Sequence, residues 1–320
     1  MIRYLVRRVL RMALSLIAVS IITFALLQAA PGNFADIARL RSGANELAPS
    51  QVQTAASEFE GRYGPDVPVW KQYLLFMKGA IQWDFGPSYK YPNLTVQEII
   101  ADAFPVSATL ALLAVGIALL VAVPLGVLAA VRQNSFVDYG TMFVVTVGRS
   151  LPNFLVGILL ILVFSRMLGV LPTSGWPGVK QAIMPVAALA LGSIAILARY
   201  VRSSMLETLR EEYITAARAK GGGFRQVVYQ HALRNSLIPL VTIVGPYLAA
   251  LMTGTVFIES IFRIPGLGLY FADAAQARDM PLLMGATIFF ALILMTMNLL
   301  VDISYRVLDP RIRLEDERRG

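Results

Sequence analysis

The chain has 320 residues, of which 57% are hydrophobic and only 15% charged, against about 25% charged in a soluble domain. With a mean hydropathy of +0.64, the apolar side chains exceed what a core of this size can hide, which excludes a soluble enzyme. Cys is absent, His231 is the single histidine and the net charge is +8, so there is no disulfide framework or thiol nucleophile and little for a zinc site or a His-based triad.

A helix needs roughly 20 apolar residues to cross a hydrocarbon core about 30 Å thick. Six stretches meet that length: 9–30, 104–131, 139–168, 182–202, 238–258 and 282–305. The first follows Arg3, Arg7, Arg8 and Arg11 as a signal peptide would. Its apolar run exceeds the usual core of about 7–15 residues, and no small-x-small cleavage site stands apart from it, so it reads as a retained helix. The segment 31–103 carries Trp70, Tyr73, Leu74, Phe76 and Trp83, enough for a small folded cap or an interfacial aromatic belt. Pro124, Pro152 and Pro246 fall inside spans two, three and five and predict kinks, because each removes a helix hydrogen bond. Gly116, Ala118, Ala122 and Gly126 in span two, and Ala187, Ala188, Ala190, Gly192, Ser193 and Ala195 in span four, predict close helix approach.

Lys and Arg set the orientation. The amino end, the turn at Arg132, the segment Arg199–Arg234 and the tail hold 17 basic residues, against four (Arg166, Lys180, Arg263 and Arg278) in the short loops on the other side. Both ends are therefore expected in the cytoplasm. The predicted layout is a first helix within 1–30, an outer segment 31–103, helices within 104–202, a cytoplasmic segment 203–237, helices within 238–305 and a tail 306–320.

Between spans four and five the composition changes. Glu211, Glu212, Ala216, Ala217 and Ala219 favour a helix, and Gly221-Gly222-Gly223 would end it. A second helix from Phe224 would place Phe224, Val227, Val228 and His231 on one face. Such a helix–Gly–helix unit can lie along the membrane surface and present side chains to a partner. His231 reads as a packed or hydrogen-bonded residue rather than a catalyst or ligand.

This segment carries a resemblance. Thr215-Ala216-Ala217-Arg218-Ala219-Lys220-Gly221, with His231-Ala232-Leu233-Arg234-Asn235-Ser236-Leu237-Ile238-Pro239, resembles the coupling loop of permeases from binding-protein-dependent ABC importers, in its dipeptide and oligopeptide branch. The likeness extends over nearly the whole chain. Tyr4-Leu5-Val6-Arg7-Arg8, Ala30-Pro31-Gly32, Asp84–Tyr91, Phe104–Ala108, Glu259–Gly268, Arg278-Asp279 and Asp309-Pro310-Arg311 are similar to the family's B-type subunit. The run Gly86–Tyr91 leans toward the oligopeptide type rather than dipeptide or nickel relatives. Two departures stand out: Thr215 occupies the place of the family's glutamate, and the interval from Gly221 to Pro239 is longer than the short consensus.

The resemblance implies an all-α integral membrane protein of six transmembrane helices with a cytoplasmic coupling loop, over 210–239, between helices four and five. It further implies a multi-pass subunit of the bacterial plasma membrane that imports peptides. Its partners would be a second, homologous permease subunit, two ATPase subunits or a homodimer of one, and an extracytoplasmic solute-binding protein; lipid surrounds it, and no nucleic acid is involved. No phosphate-binding Gly-x-x-x-x-Gly-Lys run is present, so ATP and Mg would be bound by the ATPase partners and this chain would need no cofactor or metal and would not be an enzyme. The coupling contacts would come from Thr215, Ala216, Ala217, Arg218, Lys220 and Gly221, with His231 and Pro239 beyond them.

Two ionisable residues lie near the spans. Arg149, ahead of Pro152, is expected either to face a wet translocation path or to pair with a carboxylate or a kink-freed carbonyl. Asp302 is expected to pair with Arg306 at helical spacing. An ion-coupled secondary transporter is the main alternative, but acidic residues deep in spans one to five and repeated halves are not apparent. An intramembrane protease lacks its constellation, and a purely structural membrane subunit has no feature for or against it.

Overall fold

The computed structural model describes residues 2–29, 67–91 and 93–308. The expectations placed on Ala30-Pro31-Gly32, on most of the outer segment, on Asp309-Pro310-Arg311 and on the Asp302–Arg306 side-chain pair lie outside what is described. The described residues form helices: α1 (Ile2–Ala29), α2 (Val69–Ile81), α3 (Val96–Val131), α4 (Phe136–Ser150), α5 (Asn153–Leu160), α6 (Val179–Leu209), α7 (Glu212–Ala219), α8 (Phe224–Gln226), α9 (Leu233–Gly254), α10 (Val256–Phe262), α11 (Leu267–Ala277) and α12 (Met280–Leu308). Wide π turns extend α5 over Ile161–Met167 and join α8 to α9 over Val227–Ala232. Among the described residues the strand-like pairing is an isolated bridge between Pro87 and Thr95.

Four helices are long and apolar enough to cross a membrane, and six spans result when each of two bent pairs counts as one. Most of the predicted spans recur with longer ends: α3 begins at Val96 and α6 runs on to Leu209. The third is corrected. Rather than kinking, it breaks at Leu151-Pro152, and its two halves meet at 95°. The cause is local: a residue before proline is pushed out of the helical region, and Leu151 is extended at φ −87, ψ 126. Pro124 leaves α3 unbroken. Pro246 lies inside α9, where the bend of 43° falls next to residue 241, between Pro239 and Pro246.

The chain divides into two compact units. The first comprises residues 1–107 and 265–295. Its core gathers Phe76, Phe85, Tyr89, Ile100, Leu267, Leu282 and Phe289. Buried Asp279 caps α12 by accepting the Leu282 N–H (3.1 Å), and also accepts the Ser88 hydroxyl and the Lys90 N–H (3.0 Å). Beside it, Asp273 pairs with the Lys90 ammonium at 3.1 Å and accepts the Tyr91 hydroxyl at 2.9 Å. Burial and that hydrogen bond push the Tyr91 phenol upward. The expected aromatic cap is therefore partial: Phe76 is in the core and Tyr73 packs on it, while Trp70 and Leu74 are exposed.

The second unit comprises residues 108–264 and 296–320, with α6 as its central helix against α4, α5, α9 and α10. Small residues permit this, as predicted for Ala188, Ala190, Ser193 and Ala195, all buried. A Cβ on Gly126 would lie 2.7 Å from the Ala198 carbonyl oxygen, so α3 and α6 approach backbone to backbone. Gly116 does not mark such a contact, since a Cβ there would meet open space.

Candidate functional site

The segment after α6 is held from beneath. Ile214, in the first turns of α7, is 1% exposed and packs among Met205, Val227, Val228 and Ala232. Ala217, one turn later, is half-buried against the same cluster. Glu212 in the first turn and Arg218 in the last match the helix dipole. At the far end Lys220 and Gly222 return N–H groups to the Ala216 and Ala217 carbonyls at 3.1 Å, and Gly221 makes the reversal at φ +87, a region that glycine enters freely. Behind it, Ser204 donates to the Ser236 carbonyl at 2.9 Å and Asn235 donates to the Tyr213 hydroxyl at 2.8 Å.

What this leaves outward is a small polar face: Thr215, Ala216, Arg218, Lys220 and Gly221 are all exposed. The structure thus brings together most of the residues predicted for coupling. His231 is a correction. It is exposed rather than packed, and Ala232 takes the buried place beside Val227 and Val228. The π turn is the reason: it advances about one residue further per turn than an α-helix, so the inward position moves from His231 to Ala232. Phe224 is likewise exposed, at 59%. Pro239 is half-buried within α9, with its carbonyl accepting the Thr242 hydroxyl.

Arg149 and Pro152 stand apart from this face. Arg149 lies in the last turn of α4 and is exposed, and among the described residues it pairs with neither a carboxylate nor a carbonyl. Leu151 and Pro152, at the break, are exposed as well. Thr146 and Ser150 share the Arg149 face at helical spacing, and the Arg199 guanidinium reaches across from α6 to donate to the Thr146 hydroxyl at 3.2 Å.

Sequence reasoning missed the ion pair between α4 and α6. Asp138, 1% exposed, takes a two-pronged contact from Arg202 (2.6 and 2.7 Å) and a further N–H from Asn134 at 3.0 Å. The available signal was the Ser135-x-x-Asp138 start of α4, where the Ser135 hydroxyl accepts the Asp138 N–H. Glu259, fully buried in α10 and hydrogen-bonded to Thr255, was missed for the same reason: both acids sit at the very edge of an apolar run.

The profile of the family described as binding-protein-dependent transport system inner membrane component matches residues 122–314, and the profile of its N-terminal part matches residues 1–111. The chain belongs to this family. It is a multi-pass permease component of an ABC importer in the inner membrane. Among its relatives, the dipeptide transport system permease protein DppB of Bacillus subtilis (strain 168) is 40% identical over 98% of this chain and 99% of its own length. The oligopeptide transport system permease protein OppB of Haemophilus influenzae is 36% identical over 98% of this chain and 100% of its own. Similar folds occur in the inward-facing MetNI methionine ABC transporter (TM-score 0.54, 18% identity, 64% of this chain and 96% of that one). A second is an amino acid ABC transporter crystallised with histidines (TM-score 0.52, 18% identity, 65% and 93%). At these identities the likeness shows the fold.

Proposed function

We propose that this permease imports peptides delivered by an extracytoplasmic solute-binding protein, forming half of a path completed by a second permease subunit. Two ATPase subunits drive it by docking on the outward face of α7 and the Gly221 turn, and they supply the ATP and Mg sites, so the chain itself hydrolyses nothing. The segment between α6 and α9 and both termini lie in the cytoplasm, and the division at 31–103 and 203–237 into outer and inner pieces belongs to the same reading. The observation that carries it is α7 itself: a short helix clamped by buried Ile214 and half-buried Ala217, which leaves Thr215, Ala216 and Arg218 on an exposed face. The relatives named for dipeptides and for oligopeptides both support peptides as the solute. The run Gly86–Tyr91 favours oligopeptides; dipeptides, nickel or another small solute of the same family are the alternative, and an ion-coupled mechanism is the least supported.

The test is reconstitution with the neighbouring gene products and measurement of peptide-stimulated ATP hydrolysis. Ala216 is the clean steric probe, because it is exposed on a regular helix. Gly221 is not, since any side chain at its positive φ disturbs the turn whether or not a partner docks. Ala216→Trp should overpack a docked surface at a cost of about 1–3 kcal/mol, lowering transport and stimulated hydrolysis together by about ten-fold or more. Lys220→Ala should do less, an exposed ion pair being worth about 0–1 kcal/mol. Normal transport by Ala216→Trp at wild-type abundance would exclude α7 as the docking element.

A further inference from the structure

We propose that Arg149 and Arg199 form a cationic subsite on the translocation path that receives the terminal carboxylate of the transported peptide, an inference that rests on the peptide reading above. Depth is the first argument. Arg149 lies about 16 Å along the axis of α4 from Asp138, at about 1.5 Å per residue, which is near the middle of a hydrocarbon core about 30 Å thick. Arg199 is one turn of α6 from Arg202, the partner of Asp138, and its guanidinium reaches the level of Thr146. Both residues are exposed. Arg149 sits at that depth, while the Arg199 backbone lies only about 4.5 Å beyond Arg202, at about 1.5 Å per residue, and its side chain carries the guanidinium inward to Thr146. An arginine facing lipid there is costly, and such residues face a bundle interior or a water-filled cavity.

The second argument is independent of charge. The chain breaks at Leu151-Pro152, directly after the turn that carries Arg149, and both residues at the break are exposed. Irregular backbone at membrane depth is tolerated where protein buries it or water lines it, and not against lipid. A dipole argument explains why a cation suits the end of α4 but not why a second one arrives from another helix. The hydroxyls complete the chemistry. The Thr146 hydroxyl donates to the Met142 carbonyl at 2.7 Å and the Ser150 hydroxyl to the Thr146 carbonyl at 3.0 Å, so the Thr146 oxygen is oriented to accept from Arg199. That fixes one guanidinium beside an Arg149 with no partner among the described residues. Two guanidiniums offering planar donors suit a carboxylate.

The full transporter is reconstituted in vesicles with its binding protein at saturating load. Uptake is compared for one peptide lacking Asp and Glu, with a free carboxyl terminus or as the carboxamide. Taking the acid-to-amide ratio of each variant over that of the wild type cancels the binding protein's own preference. Arg149→Gln combined with Arg199→Gln should lower acid uptake about ten-fold while leaving the amide unchanged, and the two lysine replacements should retain much of the preference. Amide uptake doubles as the control that the variant folds and couples. Equal loss of both substrates would overturn the proposal and assign the arginines to a carboxylate of the partner permease, and no change in either would overturn it too. Failure of the wild type to import any peptide would instead defeat the peptide reading, and this inference with it.

Discussion

At the scale of single residues, the contrast between Arg199 and Arg202 is informative. They lie one turn apart on α6, yet Arg202 meets a buried carboxylate and Arg199 an exposed hydroxyl. Removing Arg202 leaves the Asp138 carboxylate without its partner. Because Arg202 is itself a quarter exposed, the cost falls below about 3–5 kcal/mol, the range for a fully buried pair, but above about 0.5 kcal/mol, within which surface changes usually fall. Arg202→Gln should therefore lower the melting temperature and accelerate amide exchange over 132–138, and Arg199→Gln should do neither. Equal effects from the two would mean that the Asp138 contact does not hold the turn between α3 and α4. Neither of the buried acids Asp138 and Glu259 stood out in the sequence: each borders an apolar run, and burial at such a place depends on which helix packs over it.

At the scale of helices, apolar length was a reliable guide because a membrane span must satisfy its backbone internally. Proline was a poorer one. Pro124, Pro152 and Pro246 carry the same chemical lesion, but only Pro152 ends a helix. Pro124 is flanked by apolar turns that pack on α6 through Gly126, so tertiary contact holds α3 together. An α pitch after Phe224 predicts His231 on the inward face, but Ala232 takes that place because the chain winds there as a π turn. Its three consecutive outward residues, Tyr229, Gln230 and His231, are exposed, so one of them is surplus to the packing. Deleting Gln230 should let Val227, Val228 and Ala232 keep their inward places on an ordinary α-helix, with abundance retained and stability changed by less than about 1 kcal/mol. Deleting Ala232 should remove a buried contact and lower abundance; the opposite order would show that the π turn is not set by these three side chains. The exposed face of α7 was largely legible, since Ala, Arg and Lys around a Gly stop are local features, but Ile214 as its anchor was visible only as one apolar residue in a polar helix.

For the whole molecule, the absence of cysteine gives a clean background for labelling. The proposed orientation, with both termini inside, requires that an impermeant thiol reagent modify Ser57→Cys from outside and reach Thr215→Cys only after the membrane is opened; the reverse pattern would invert the permease. A different consequence follows from α3. Between Phe104 and Val131 this helix has no charged residue, an apolar length of about 42 Å at about 1.5 Å per residue, while the hydrocarbon core measures about 30 Å. Such an excess is met by tilting the helix or thickening the lipid around it, at fractions of a kcal/mol per Å. Transport should accordingly rise as vesicles are made from phosphatidylcholines of increasing acyl-chain length and fall in short-chain lipid, so that membrane thickness sets the working rate without any ligand binding.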